Sequence, residues 1–240
     1  VKEDDSFIGY NSNIDIHHMD GSIALYNSTA RLQDEEYGEI NIDPLSTAKI
    51  VQGSVTFTDA SQVHGSLDMQ DGLYGITTFK NGYSGSGKIL MDAAVYQTGS
   101  PSDQIVIIDK SSTKRYDLGS TTLVINDTDP TNATDTTVGA GQGIGPLITA
   151  STPNYSGTDF WSGSEFQLQN GQIIKQSYVY RLYDYQEGLD HNWYLQSGDA
   201  NPPNPPGPPG PAPLKEISPH VPWYPVGLTG MNMLSRTALG

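Results

Sequence analysis

The run Gly82-Tyr-Ser-Gly-Ser-Gly-Lys-Ile89 comes within one residue of a phosphate-binding loop. Gly82, Gly87 and Lys88 fit that pattern, but the hydroxyl that would hold Mg²⁺ is replaced by Ile89. No buried strand precedes the run and no long helical pattern follows it, so it reads as a Gly/Ser turn. Gly139-Ala-Gly-Gln-Gly-Ile-Gly145 fails the dinucleotide fingerprint in every register, because the third required glycine falls on Ile144 or Pro146. Ser111-Ser-Thr-Lys114 matches Ser-x-x-Lys but lies between strand patterns rather than opening a helix, and its partner motifs are missing. His17 and His18 beside Asp15 and Asp20 carry metal-ligating groups. Successive side chains of a strand point to opposite faces, so this pair cannot chelate together without a bulge. Asp127, Asp129 and Asp135 suggest a calcium loop, yet the turn glycine and the bidentate Glu are absent. Asn27, Asn126 and Asn132 open glycosylation sequons that matter only on a eukaryotic secretory route. No Ser/His/Asp signature and no carboxylate pair stands out. The expectation is no enzyme activity, no catalytic, cofactor-binding or metal-binding residues, and no cofactor.

Composition narrows the partners. The 240 residues hold 12 Lys+Arg against 27 Asp+Glu, a formal net charge of −15. Such a field repels phosphate backbones and anionic lipid heads, so no nucleic-acid partner is expected. Cysteine is absent, which removes disulfide staples and Cys-ligated zinc. An absence of cysteine suits a chain that threads a narrow pore unfolded, and equally a cytosolic chain that happens to lack it. Tyr 14 far exceeds Phe 5 and Trp 3, and a polar, uncharged, Tyr- and Gly-rich surface is common among extracellular β-proteins. No apolar run reaches transmembrane length, and Val1 is not a start residue, so the chain reads as cut from something longer.

The elements that must position any site are strands. Over 1–98 short apolar runs recur at Ile14/Ile16, Ile23–Leu25, Ile40/Ile42, Ile50/Val51, Val55/Phe57, Val63, Leu67/Met69, Ile76/Phe79 and Ile89/Met91. Gly, Asn, Asp or Ser separates most of them, which predicts strands of three to five residues joined by turns. The runs return every ten residues or so, and two of them make a unit of roughly 20, as in a parallel β-helix. A β-sandwich is the competing architecture.

Over 99–198 the predicted strands lengthen: 104–108, 121–126, 146–150, 165–168 and 172–175. The runs 177–184 and 192–196 flank a turn at 186–190 and predict a closing antiparallel hairpin. Tyr178, Tyr180 and Leu182 share one face by the period of two, as do Trp193 and Leu195 on the partner strand. Together with Tyr194 these residues form the expected folding cap, since an open sheet end exposes unpaired edges that must be covered. Eight prolines lie between Pro202 and Pro213, so 199–220 reads as an extended polyproline spacer of about 3.1 Å per residue. Beyond it, Leu228, Met231, Leu234 and Ala238 fall near helical spacing.

The order Ser102-Asp-Gln-Ile-Val-Ile, Tyr178-Val-Tyr-Arg-Leu-Tyr, Asn192-Trp-Tyr-Leu-Gln-Ser, a proline tract, then Val221-Pro-Trp-Tyr-Pro carries a resemblance. It resembles the passenger/barrel junction of classical (type Va) bacterial autotransporters of the AIDA/pertactin type, over about residues 88–240. The resemblance implies an all-β chain: a right-handed parallel β-helix capped by an aromatic antiparallel hairpin, then a Pro-rich linker and a helix start. It divides the chain into 1–98 as final turns of the passenger β-helix and 99–198 as an autochaperone-like cap. Residues 199–220 are then a linker, and 221–240 the lead-in helix to an outer-membrane β-barrel. The double Asn at which some members cleave themselves is absent, with only Asn232 before Met233, and so is the serine-protease motif of another branch. The implied role is adhesion or self-association at the surface of a Gram-negative bacterium, displayed or released. The implied partners are a host-cell or extracellular-matrix ligand, another copy, and the chain's own barrel. The alternatives are a stalk beneath an upstream enzyme or toxin, and an unrelated β-solenoid lyase or phage tail piece.

Overall fold

The computed structural model describes residues 6–17, 21–33, 36–51, 53–111, 117–130, 143–157, 161–175 and 178–197. The linker at 199–220 and the helix start at 221–240 lie outside the described residues. Among the described residues the chain is all-β, with no α-helix.

The strands, in chain order, are β1 Phe7–Tyr10, β2 Asn13–Ile16, β3 Ile23–Tyr26, β4 Thr29–Leu32, β5 Glu36–Tyr37, β6 Ile40–Ile42 and β7 Thr47–Ile50. Next come β8 Val55–Phe57, β9 Ser61–Val63, β10 Ser66–Asp68, β11 Ile76–Phe79, β12 Tyr83–Gly85, β13 Lys88–Ala93 and β14 Gln104–Ile108. The last are β15 Thr121–Asp127, β16 Ile144–Ser151, β17 Phe166–Leu168, β18 Ile173–Lys175, β19 Tyr178–Glu187 and β20 Asp190–Ser197.

They form three sheets, which the chain visits in rotation from β3 to β14. The first runs β1-β3-β6-β9-β12, the second β2-β4-β7-β10-β13-β15-β17, and the third β5-β8-β11-β14-β16-β20-β19-β18. Pairing is parallel through the first two sheets and up to β16 in the third. Register partners lie close in sequence at first, with Phe7 opposite Ile23 and Thr47 opposite Ser66. They separate later, with Lys88 opposite Thr122 and Ile105 opposite Ile148.

The expected unit of two apolar runs is corrected: a repeat holds three short strands, one per sheet. The missed members are β1, β4, β5 and β12. The stretch Tyr83-Ser-Gly85 reads locally as a turn, but Tyr83 and Gly85 point inward and are buried. Burial raises the Tyr83 phenol far above its ordinary value, although its oxygen lies 2.7 Å from the Thr121 hydroxyl.

Inward side chains alternate with outward ones, as the pleat requires. They stack from strand to strand into one core that includes Ile23, Leu25, Ile40, Ile42, Leu67, Ile89 and Leu123, all fully buried or nearly so. Inside it, rings follow one another from Tyr37 to Phe57, Phe79, Tyr83, Phe166, Trp193, His191 and Trp161, with centroids 4.9–6.1 Å apart. The aromatic column therefore joins the early strands to the terminal hairpin. Corners between sheets pack backbone on backbone: a Cβ on Gly87 would overlap the Gly65 carbonyl oxygen, and one on Gly75 the Gly53 carbonyl oxygen.

Candidate functional site

The third sheet changes direction at β16. β20 pairs antiparallel with β16, placing Trp193 opposite Ile148 and His191 opposite Ala150. β19 then pairs antiparallel with β20, and β18 with β19. The turn expected at 186–190 is shorter than that: the strands run to Glu187 and resume at Asp190, leaving Gly188 and Leu189 as the loop. Gly188 has φ 63°, which glycine at the first position of a two-residue hairpin supplies without strain.

Of the six cap residues, Tyr180, Trp193 and Leu195 are fully buried or nearly so, and Tyr178 and Leu182 pack partly buried against the core. Tyr194 pairs with Tyr183 on the outward face and is half-buried. Burial, then the neighbouring Tyr185 and Glu187, raises its phenol above the ordinary value. The expected aromatic cross-strand pairing is corrected for Trp193. Its direct neighbour on β19 is Asp184, while its aromatic contacts come from Phe166, edge-on at 5.0 Å, and His191, stacked at 5.7 Å. The indole N–H donates to the Gly163 carbonyl at 3.1 Å.

Beside Trp193 lies a polar pair that sequence reasoning missed. His191, 2% exposed, holds its Nδ1 2.7 Å from Asp184 Oδ2. His191 Nε2 and Asp184 Oδ1 are buried with no hydrogen-bond partner among the described residues. A His–carboxylate pair of this kind occurs in hydrolytic triads; here, among the described residues, no hydroxyl bonds Nε2, and Ser162 Oγ instead lies 2.7 Å from Ser164 Oγ and 2.9 Å from Glu165 Oε1. The period of two carried the signal for the pair, since it places Asp184 on the Tyr180 face and His191 on the Trp193 face.

A second polar cluster joins the ends of β15 and β18 to the segment that follows β13. Lys175 Nζ is 2.8 Å from Asp127 Oδ2 and 2.7 Å from Asp129 Oδ2, and donates to the Val95 carbonyl at 2.7 Å. Burial alone would lower the Lys175 ammonium, but the two carboxylates outweigh it and hold its pKa above the ordinary value. Asp127 and Asp129, which the sequence suggested and then argued against as a calcium loop, are paired with a cation from the chain itself; Asp135 lies outside the described residues. Nearby, Asp103 is buried and accepts the N–H groups of Gly75 at 2.8 Å and Asp92 at 2.6 Å. Burial pushes its carboxyl up to about 7 against those two hydrogen bonds, with Asp92 and Asp71 adding repulsion.

The remaining motif residues do not converge. In 82–89 the backbone N–H groups of Gly85, Ser86, Gly87 and Lys88 donate to carbonyls of Leu118, Val63 and Gly65, so none of these four faces an open phosphate cradle. His17 is exposed and Asp15 pairs with Arg31 at 3.5 Å, while His18 and Asp20 lie outside the described residues. Of 111–114 only Ser111 is described, and of 139–145 only 143–145. Asn126 donates to buried Asp92 at 2.6 Å, whereas Asn27 is exposed and Asn132 lies outside the described residues. Among the described residues no group of three or more His, Cys, Asp or Glu is placed to hold a metal ion. No protein-family model matches this chain, and no curated protein matches its sequence.

Proposed function

We propose that this chain is the C-terminal part of an autotransporter passenger. In this reading the three sheets are the faces of a right-handed parallel β-helix, and β18–β20 close its end. The closed end folds first as it emerges and templates the turns behind it. The faces upstream are displayed at the surface of a Gram-negative bacterium and adhere to a host ligand or to another copy.

One observation carries the reading: at β16 parallel stacking gives way to an antiparallel hairpin whose Trp193 and Tyr180 are fully buried. Such a hairpin satisfies the last sheet edge and covers apolar surface that would otherwise meet water or another chain. The outward faces fit display, with Asn41, Gln62 and Ser84 in register on the first sheet.

Export tests the reading. The chain, fused ahead of an outer-membrane barrel in a Gram-negative host, is expected to reach the surface and resist external protease, and Trp193→Ala is expected to cut surface display severely. Equal display of the variant and the parent would sink the cap's role in export.

A further inference from the structure

Lys175 sits where the antiparallel cap joins the parallel stack, and its surroundings differ from those of the other described lysine pairs. Lys49 and Lys80 reach Asp68 and Glu36 with side chains 38% and 40% exposed, so water surrounds both pairs. The Lys175 side chain is 6% exposed and the Asp129 side chain 8%. Nζ lies 2.7 Å from Asp129 Oδ2 and 2.8 Å from Asp127 Oδ2, and it also donates to the Val95 carbonyl. An amine nitrogen in contact with a carboxyl oxygen is one bond from the carboxyl carbon, near the roughly 3–3.5 Å of a reacting pair.

The two carboxylates are not equivalent. Asp127 Oδ1 accepts the N–H groups of Val95 and Asp129, both at 3.0 Å, which fixes that group beside Nζ. Backbone donors favour its charged form, so it holds a proton only in passing. Asp129 is the more buried of the two, since the Asp127 side chain is 30% exposed. A dry carboxyl group is the better electrophile here, because no water competes with the amine or reopens the product.

We infer that Lys175 and Asp129 close an isopeptide bond across the fold, with Asp127 as the proton carrier. The ammonium passes one proton to Asp127, and rotation about Cε–Nζ turns the freed lone pair toward Asp129 Cγ. The Nζ–Cγ bond forms and one Cγ–Oδ bond breaks. The departing oxygen leaves as water, taking a second proton from Nζ and the proton held by Asp127, which ends as the carboxylate it was at the start. Nothing is oxidised or reduced, and no co-reactant enters. The fold supplies the encounter between amine and acid that would otherwise need a collision. Both carboxylates favour the ammonium, so closure draws on the minor amine form and is slow. The bonded form accumulates because water released from a buried site does not return.

The bond joins the end of β18 to the segment after β15, 46 residues apart in the chain. It ties the cap to the stack and closes a long loop in the unfolded chain, the part a disulfide plays in other proteins. Cysteine is absent, so no disulfide serves that purpose here. Such a bond depends on neither adhesion nor export.

Intact-mass spectrometry of the whole chain, followed through a week at neutral pH, tests the bond. The folded protein is expected to become lighter than its sequence by one water, while chain held unfolded in guanidinium chloride keeps full mass. Chymotrypsin cuts between the two residues, at Phe166 and Leu168 among others, and is expected to release a branched peptide in which Lys175 carries Asp129. Lys175→Arg and Asp129→Ala are expected to keep full mass, and Asp127→Asn to slow closure by about 100-fold. Full mass in the folded parent at the end of the week overturns the bond, whether or not any variant folds. So does a water lost equally by Lys175→Arg, which assigns the loss to ring closure at Asp71-Gly72. A branch at Asp127, or closure undiminished in Asp127→Asn, overturns the roles of the two carboxylates.

Discussion

Asp103 Oδ2 accepts the backbone N–H of Asp92 at 2.6 Å, so one buried carboxyl group is anchored to the residue that bears another. Asp92 Oδ2 in turn accepts the Gly72 N–H at 2.9 Å. The acidic corner thereby terminates backbone donors where β13 leaves its sheet and the chain turns toward β14.

This corner makes stability depend on pH. The Asp103 carboxyl rises from its ordinary 3.8 to about 7 on folding, chiefly through burial. Over that window the folded chain keeps a proton that the unfolded chain has released. Its contribution is fully present below about pH 4 and is lost as pH rises through about 7. Urea midpoints measured from acid to neutral pH are expected to fall across the window. Asp103→Asn, less stable overall because one N–H loses its acceptor, is expected to flatten the slope; an undiminished slope would assign the effect to other groups.

Lys175 is the counter-charge for two carboxylates, with 6% of its side chain exposed against 8% for Asp129. Lys175→Met keeps much of the volume and leaves both carboxylates without a cation. Stability at neutral pH is expected to fall by about 3–5 kcal/mol, the range for breaking a buried ion pair. Denaturation of both proteins at neutral pH checks this, and a midpoint unchanged from the parent would deny the ion pair a part in holding the cluster together.

Trp193 fills the end of the core and contacts Phe166, His191 and the Gly163 carbonyl. Trp193→Ala removes the ring and its hydrogen bond, at an expected cost of about 3–5 kcal/mol. His191→Phe, which keeps a ring but strands the Asp184 carboxylate, is also expected to destabilise. Tyr194→Ala, on the outward face, is expected to cost less than Trp193→Ala. Equal midpoints for the Trp193 and Tyr194 variants would remove the distinction between the two faces of β20.

The two ends of the chain differ in how well they can fold alone. Residues 99–198 hold the three antiparallel strands, Trp161 and Trp193, whereas residues 1–98 consist of short strands whose last members, β11 and β13, pair with β14 and β15 beyond them. The C-terminal piece is expected to show a protected core in amide exchange, centred on β16, β19 and β20, and the N-terminal piece to exchange freely. The reverse pattern would remove the physical basis for a folding template.

The sequence alone determined what is local. Alternation and turn residues located β2, β3, β8, β14 and β15 to within a residue or two, because a pleated strand must put every second side chain into the core. The same alternation assigned Tyr180 and Leu182 to one face of the hairpin and Trp193 and Leu195 to one face of its partner. It failed at β12, where Tyr83-Ser-Gly85 is strand only because neighbouring strands bury its tyrosine. It also failed to count three strands per repeat, since strands of two or three residues leave almost no period to read. Tertiary structure decided which strand lies against which, and thus every contact between distant residues: Lys175 with Asp127 and Asp129, Tyr83 with Phe166, Tyr10 with Tyr26. Stacked repeats need only apolar side chains facing inward, not any one residue type, so sequence carries little record of register. The protonation of Asp103 has the same origin, because burial and not residue type moves its carboxyl, and burial is settled only when the chain has closed around it.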